Sequence, residues 1–143
     1  MSILESLYKE IILDHYRSPR NRGKLASATI QLEGLNPSCG DELELYLDLE
    51  KETIVDVKFT GEGCAISQAS ASMMTEVIKG KSREDALELS RKFKAMIQGE
   101  GVSEELGDLT LLQGISKLHA RVKCATLAWI TLDQALAKDE SES

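Results

Sequence analysis

Three cysteines and one aspartate are the residues of this sequence best suited to chemistry. Cys39 and Asp41 form a Cys-Gly-Asp step, Cys64 follows a glycine, and Cys124 follows a lysine. Three sulfurs and one oxygen in a tetrahedron suit Zn²⁺, and the same soft donors suit an iron–sulfur cluster. Residue types alone do not choose between these two occupants. Each cysteine taken singly is as well explained as a small buried hydrophobe.

A β-hairpin is predicted directly after the Cys-Gly-Asp step. Leucines alternate with polar residues from Leu43 to Leu49, which is typical of a strand with one wet face. After a polar turn at residues 50–53, a second alternation falls on Val55, Val57 and Phe59. The two strands therefore form a hairpin that needs helices on its apolar face.

The position of the hairpin turn predicts how close Cys39, Asp41 and Cys64 lie to one another. Paired residue numbers sum to about 103 in a simple antiparallel register, which places Cys39 near Cys64 and Asp41 on the same rim. Cys64 and Cys124 fall at predicted helix starts, where unpaired N–H groups favour a thiolate. The neighbouring Arg121 and a lysine favour the thiolate of Cys124 further.

The other elements complete an α+β fold. A weaker strand near Ile30–Leu32 would add to the hairpin, which gives a small antiparallel sheet of about three strands packed against several helices. The segment Gly101–Gly114 predicts only short helical turns, and Asp139–Ser143 a frayed tail. Helical spacing predicts four helices: Ser2–Tyr16, a helix from Ala65 that Lys79 and Gly80 close, a helix from the N-cap Ser82 to Gly99, and Val122–Leu136. The apolar stripe of the second helix consists of Ile66, Ala69, Met73 and Val77.

Length and charge limit the class of protein. The 143 residues predict a single domain over 1–143, because no linker or repeat divides them. A formal charge of -7 argues against nucleic acid or an anionic membrane as partner. The N-terminus lacks the basic start and apolar run of a signal peptide, and the cysteine number is odd. A cytoplasmic protein with free or metal-bound thiols is therefore expected.

The two histidines are weaker candidates for the site. His15 is interpreted as a hydrogen-bonded histidine at the edge of the first helix. His119 would lie about 140° from Cys124 on a continuous helix, so it could join the site only if the helix begins after it.

Four separated motifs cover nearly the whole sequence: Tyr16-Arg17-Ser18-Pro19-Arg20-Asn21-Arg22-Gly23, Asn36-Pro37-Ser38-Cys39-Gly40-Asp41, Gly61-Glu62-Gly63-Cys64-Ala65-Ile66-Ser67 and Arg121-Val122-Lys123-Cys124-Ala125-Thr126-Leu127. With these motifs the sequence resembles the U-type iron–sulfur assembly proteins, and more narrowly their SufU branch. Two departures from the IscU type favour that branch: Lys123 stands where IscU proteins have a histidine, and the segment from about 83 to 116 looks like the SufU insertion.

The resemblance implies a SufE/IscU-like fold and assigns Cys39, Asp41, Cys64 and Cys124 as metal ligands. It also implies a zinc-binding sulfur carrier, rather than a self-contained enzyme, that accepts persulfide sulfur from a pyridoxal-phosphate (PLP) dependent, SufS-like cysteine desulfurase. The sulfur would pass to a downstream iron–sulfur scaffold or apoprotein.

Two other functions stay open: a scaffold for a labile iron–sulfur cluster, and a purely structural zinc domain. For sulfur transfer we expect Cys39 to be the attacking thiolate because it lies on a glycine-flanked loop. Cys124 is the rival nucleophile.

Overall fold

The computed structural model describes the backbone of residues 3–37 and 40–142, and the side chains of residues 8–37 and 40–137. The α+β fold predicted from the sequence is confirmed. Within these residues the order of elements is α1 (Ile3–Arg17), β1 (Ile30–Asn36), β2 (Asp41–Glu50), β3 (Thr53–Glu62), α2 (Ala65–Ile78), α3 (Arg83–Ile97), two 3₁₀ segments (Glu104–Lys117 and His119–Arg121) and α4 (Val122–Glu142).

The three strands form one antiparallel sheet with β2 in the middle. The predicted hairpin is confirmed, and its two turn residues Lys51 and Glu52 have φ of 49° and 69°. Positive φ at both positions is what a two-residue hairpin needs to match the twist of its strands. The first strand is longer than predicted and ends at Asn36, which pairs with Asp41.

The prediction that Val55 lies on the apolar face of the hairpin is wrong. Leu49 pairs with Ile54 but Asp48 pairs with Asp56, so Val55 is an extra residue on β3. A bulge of this kind moves the side chains on one side of it to the opposite face. Ile54 is consequently buried, whereas Val55 is 38% exposed.

Helix α2 lies at the centre of the helical layer and packs against α1, α4 and β3. The sequence predicted a single apolar stripe, but every residue from Ser67 to Thr75 is buried. Its small polar residues can be buried because their side chains have hydrogen-bond partners. Ser70 Oγ donates to Ala125 O (2.6 Å) and accepts from Trp129 Nε1 (3.1 Å).

The last two α-helices cover the remaining core. Ser82 caps α3 as predicted, since its Oγ accepts the Asp85 N–H (3.0 Å). Phe93 of α3 stacks on Trp129 of α4, with ring centroids 4.6 Å apart. Helix α4 continues to Glu142, past residue 139, where the sequence predicted a frayed tail; no proline or glycine interrupts this stretch.

Helix α4 also lies directly on β1. A Cβ at Gly34 would stand 2.0 Å from Thr131 Oγ1, so only glycine allows this approach. The contact holds α4 against β1 at Leu127 and Thr131. Among the described residues, no helix has both the length and the apolar character needed to cross a membrane.

Candidate metal centre

Asp41, Cys64 and Cys124 come together at one end of the sheet. Each offers one ligand atom, and these atoms lie within 4.8 Å of one another. Asp41 is 2% exposed, Cys124 is fully buried and Cys64 is half-buried. Two thiols and a carboxylate at this spacing suit a borderline-soft ion such as Zn²⁺, which usually takes four ligands and would need one more.

Each of the three side chains is placed by the end of an element. Asp41 opens β2, Cys64 is the N-cap of α2, and Cys124 lies in the first turn of α4. Cys64 Sγ accepts the Ser67 N–H (3.4 Å), as an N-cap side chain does. The Cys64 N–H in turn donates to Asp41 Oδ1 (2.9 Å). The predicted proximity of Asp41 and Cys64 is therefore confirmed.

Gly63 allows this close approach. A Cβ at this position would lie 2.5 Å from Asp41 Oδ1 and 2.6 Å from Ser67 Oγ. Real side-chain carbons do not approach other atoms so closely, so any larger residue would displace the carboxylate or the start of α2.

Asn36 is a residue of this centre that the sequence reasoning missed. Its Nδ2 lies 3.3 Å from Asp41 Oδ2 and 3.9 Å from Cys124 Sγ, and the residue is 6% exposed. The signal that could have found it is strand pairing, because Asn36 is the cross-strand partner of Asp41. The predicted strand ended four residues too early to show this.

Cys39 lies outside the described residues. Its predicted place near Cys64, and its role as ligand and nucleophile, stay predictions. The predicted influence of Arg121 and Lys123 on the Cys124 thiolate also stays a prediction.

Tyr8 and Arg121 lie close enough to this end of the fold to affect one another electrostatically. Burial raises the pKa of the Tyr8 phenol, the Arg121 guanidinium acts to lower it, and Cys64 acts to raise it. The phenol of Tyr8, on α1, thus lies within electrostatic range of both Arg121 and Cys64.

Neither histidine belongs to the described cluster. Helix α4 does begin after His119, but that side chain is exposed and is not among the three converging residues. His15 is a hydrogen-bonded histidine, as predicted: its Nδ1 lies 2.7 Å from Ser72 Oγ, which also accepts the Arg20 N–H (2.8 Å). Burial lowers the pKa of His15.

The chain thus has an α+β fold in which two thiols and a carboxylate converge at one end of a three-stranded sheet. This arrangement is that of a small metal-binding protein. Comparison with known proteins specifies the family. The family model described as the NifU-like N terminal domain matches residues 7–141. The chain belongs to this family, which confirms the resemblance to the U-type assembly proteins.

Two relatives match along nearly their whole length. The zinc-dependent sulfurtransferase SufU of Bacillus subtilis (strain 168) is 49% identical over 139 residues, which are 96% of this chain and 94% of the relative. The iron–sulfur cluster assembly scaffold protein IscU of Thermotoga maritima is 47% identical over 137 residues, which are 95% and 96% of the two chains. One of these relatives is thus named for sulfur transfer and the other for a cluster scaffold.

Solved structures agree with the fold. The crystal structure named for an iron–sulfur cluster assembly scaffold protein for the SUF system, from Fervidobacterium islandicum AW-1, superposes with a TM-score of 0.87 at 41% identity and covers 92% of this chain and 98% of that one. A NifU-like N-terminal protein from Brucella abortus gives a TM-score of 0.89 at 19% identity, covering 99% and 100%, which supports the fold alone.

Proposed function

We propose that this protein is a zinc-binding sulfur acceptor that takes persulfide sulfur from a PLP-dependent cysteine desulfurase for iron–sulfur cluster assembly. The observation that carries the proposal is the convergence of Asp41, Cys64 and Cys124 within 4.8 Å. It is supported by 49% identity to a protein named as a zinc-dependent sulfurtransferase. The chain would act as one domain in the cytoplasm, with a SufS-like desulfurase as donor.

The four proposed ligands are Cys39, Asp41, Cys64 and Cys124. The described three fit zinc by donor type and by spacing, and Cys39 would supply the fourth position. When bound, zinc would keep the cysteine ligands deprotonated at neutral pH.

Cys39 is the proposed nucleophile because the other two thiols are held by the fold. Cys124 is fully buried in α4, and Cys64 caps α2 through Ser67. The Cys39 thiolate attacks the outer sulfur of the desulfurase persulfide. A new S–S bond forms on Cys39, the old S–S bond breaks, and the desulfurase cysteine leaves as a thiolate. The Cys39 persulfide then passes its sulfur to a downstream scaffold or apoprotein.

A second candidate function is a scaffold on which a labile iron–sulfur cluster is assembled. The 47% identity to a relative named as a scaffold favours it, and thiolates bind such clusters well. Metal analysis of gently purified protein separates the two. About one zinc ion per chain, without iron–sulfur absorption, supports the sulfur acceptor. Iron with acid-labile sulfide supports the scaffold.

The nucleophile is tested with a purified cysteine desulfurase, cysteine and a reductant. We expect Cys39→Ser to lower alanine release to the rate without this protein, because serine cannot form a persulfide. The parent should gain the mass of one sulfur on the peptide that contains Cys39.

Cys124→Ser is the companion variant in this assay. Full stimulation by Cys39→Ser, or added sulfur on Cys124 alone in the parent, would show that Cys39 is the wrong nucleophile. A parent chain that binds zinc but neither stimulates the desulfurase nor gains sulfur would leave a structural zinc domain as the function.

A further inference from the structure

We infer that Asn36 is a positioning residue of the metal centre, whose side-chain amide holds Asp41 and Cys124 in converging positions for the ion. The inference rests on the proposed function, since it assumes that these two residues are ligands. It adds a residue that supplies no ligand atom itself but sets the geometry of two that do.

The hydrogen-bond partners of Asn36 are the first argument. A buried side-chain amide needs acceptors for its two N–H groups. Those of Asn36 face Asp41 Oδ2 at 3.3 Å and Cys124 Sγ at 3.9 Å. Both acceptors belong to the converging group, so the amide bridges two proposed ligands from different elements.

The second argument is that Asp41 is held at both oxygens. The Cys64 N–H donates to Oδ1 (2.9 Å), and Asn36 donates to Oδ2. A carboxylate has about four lone-pair positions, so each oxygen keeps one for a metal. The carboxylate is thereby fixed in orientation before any ion arrives, which lowers the entropy cost of binding.

The third argument concerns how Asn36 reaches this place. Pairing of β1 with β2 sets Asn36 opposite Asp41, and α4, which packs closely on β1 at Gly34, carries Cys124 to within 3.9 Å of the same side chain. Asn36 therefore ties the ligand at the start of β2 to the ligand in the first turn of α4. Residues that orient metal ligands in this way typically contribute roughly 10- to 100-fold to metal affinity.

Gln31 supplies a matched control on the same strand. Its Nε2 donates to Glu44 Oε1 (2.6 Å), so it also makes an amide-to-carboxylate bond between β1 and β2. That bond lies on an exposed face and touches none of the three converging residues. Gln31→Leu removes the same kind of interaction from the same strand pair without touching the site.

The test measures zinc affinity by competition with a chromophoric chelator at neutral pH. Asn36→Leu keeps the size of the side chain but removes both donors, and we expect its zinc affinity to fall roughly 10- to 100-fold. Gln31→Leu should stay within about twofold of the parent. If Asn36→Leu does not fold by circular dichroism, the comparison is made with Asn36→Ser, whose short side chain cannot reach both acceptors.

Cobalt(II) bound in place of zinc supplies a second measurement, which would not change if Asn36 only stabilised the fold. Its visible absorption bands respond to the orientation of the ligands, so the bands of folded Asn36 variants should shift while those of Gln31→Leu match the parent. Parent-like zinc affinity in the Asn36 variants, or an equal loss in Gln31→Leu, would overturn the inference. A parent chain that binds no zinc would instead overturn the proposed function.

Discussion

At the scale of single residues, the site depends on small distances around Asp41. Its carboxylate touches the backbone of α2 through Cys64, and Gly63 leaves no room for a side chain beside it. The sequence predicted that Asp41 and Cys64 meet, because a hairpin register follows from its turn. It did not predict Asn36, because the part of β1 that carries Asn36 lacks an alternating apolar pattern.

The crowding at Gly63 leads to a testable prediction. Gly63→Ala should lower the free energy of unfolding by about 1–3 kcal/mol, as overpacking does. It should also weaken zinc binding, because the added methyl group displaces Asp41 Oδ1. Thermal denaturation and chelator competition measure the two effects.

Gly114→Ala is the control, since a Cβ there meets no atom within 4 Å and the residue has no positive φ. It should leave both quantities near those of the parent. Equal behaviour of the two variants would show that Gly63 is not under steric constraint.

At the scale of elements, the local sequence was sufficient to predict the buried face of some helices and insufficient for others. The cap at Ser82 and the stripe of α3 follow from nearby residues alone. The complete burial of α2 does not, because its serines are polar and their hydrogen-bond partners lie elsewhere in the chain: Ser70 bonds to α4, and Ser72 bonds to His15 of α1. The bulge at Val55 likewise depends on how β2 and β3 pair, which the alternation of one strand cannot show.

Two buried serines differ in whether their hydroxyl groups have hydrogen-bond partners. Ser90 Oγ in α3 is buried with no hydrogen-bond partner among the described residues, so Ser90→Ala should stabilise the protein by about 1 kcal/mol. Ser70 is equally buried but bonded to α4 on both its donor and acceptor sides. Ser70→Ala should therefore destabilise it by about 1–3 kcal/mol.

Thermal and denaturant unfolding of the two alanine variants measure these changes. Opposite signs are expected from the same substitution in α2 and in α3. A loss of stability in Ser90→Ala would mean that its hydroxyl makes a contact after all.

At the scale of the whole molecule, the proposed ligands connect the sheet with two helices. Asp41 belongs to β2, Cys64 caps α2 and Cys124 lies in α4, so one ion would join three elements of the core. An ion that binds only the folded chain stabilises it by about 4 kcal/mol at a thousand times its dissociation constant. Metal binding and global stability should therefore rise together.

Removal of the metal tests this coupling. A strong chelator should lower the midpoint of thermal unfolding by roughly 10 °C, and added zinc should restore it. Cys64→Ser should show a much smaller response because it lacks one thiolate. An unchanged midpoint in the parent after complete loss of zinc would contradict a centre that joins the three elements.

The contact between Asn36 and Cys124 spans 88 positions of sequence. A ribosome adding about 5–20 residues per second needs roughly 4–18 s to make that stretch. For nearly all of this interval the nascent chain carries Asp41, and for most of it Cys64, without Cys124. The proposed centre can therefore close only after Cys124 has been made, and a bound ion would from then on protect the thiols from oxidants and from competing ions.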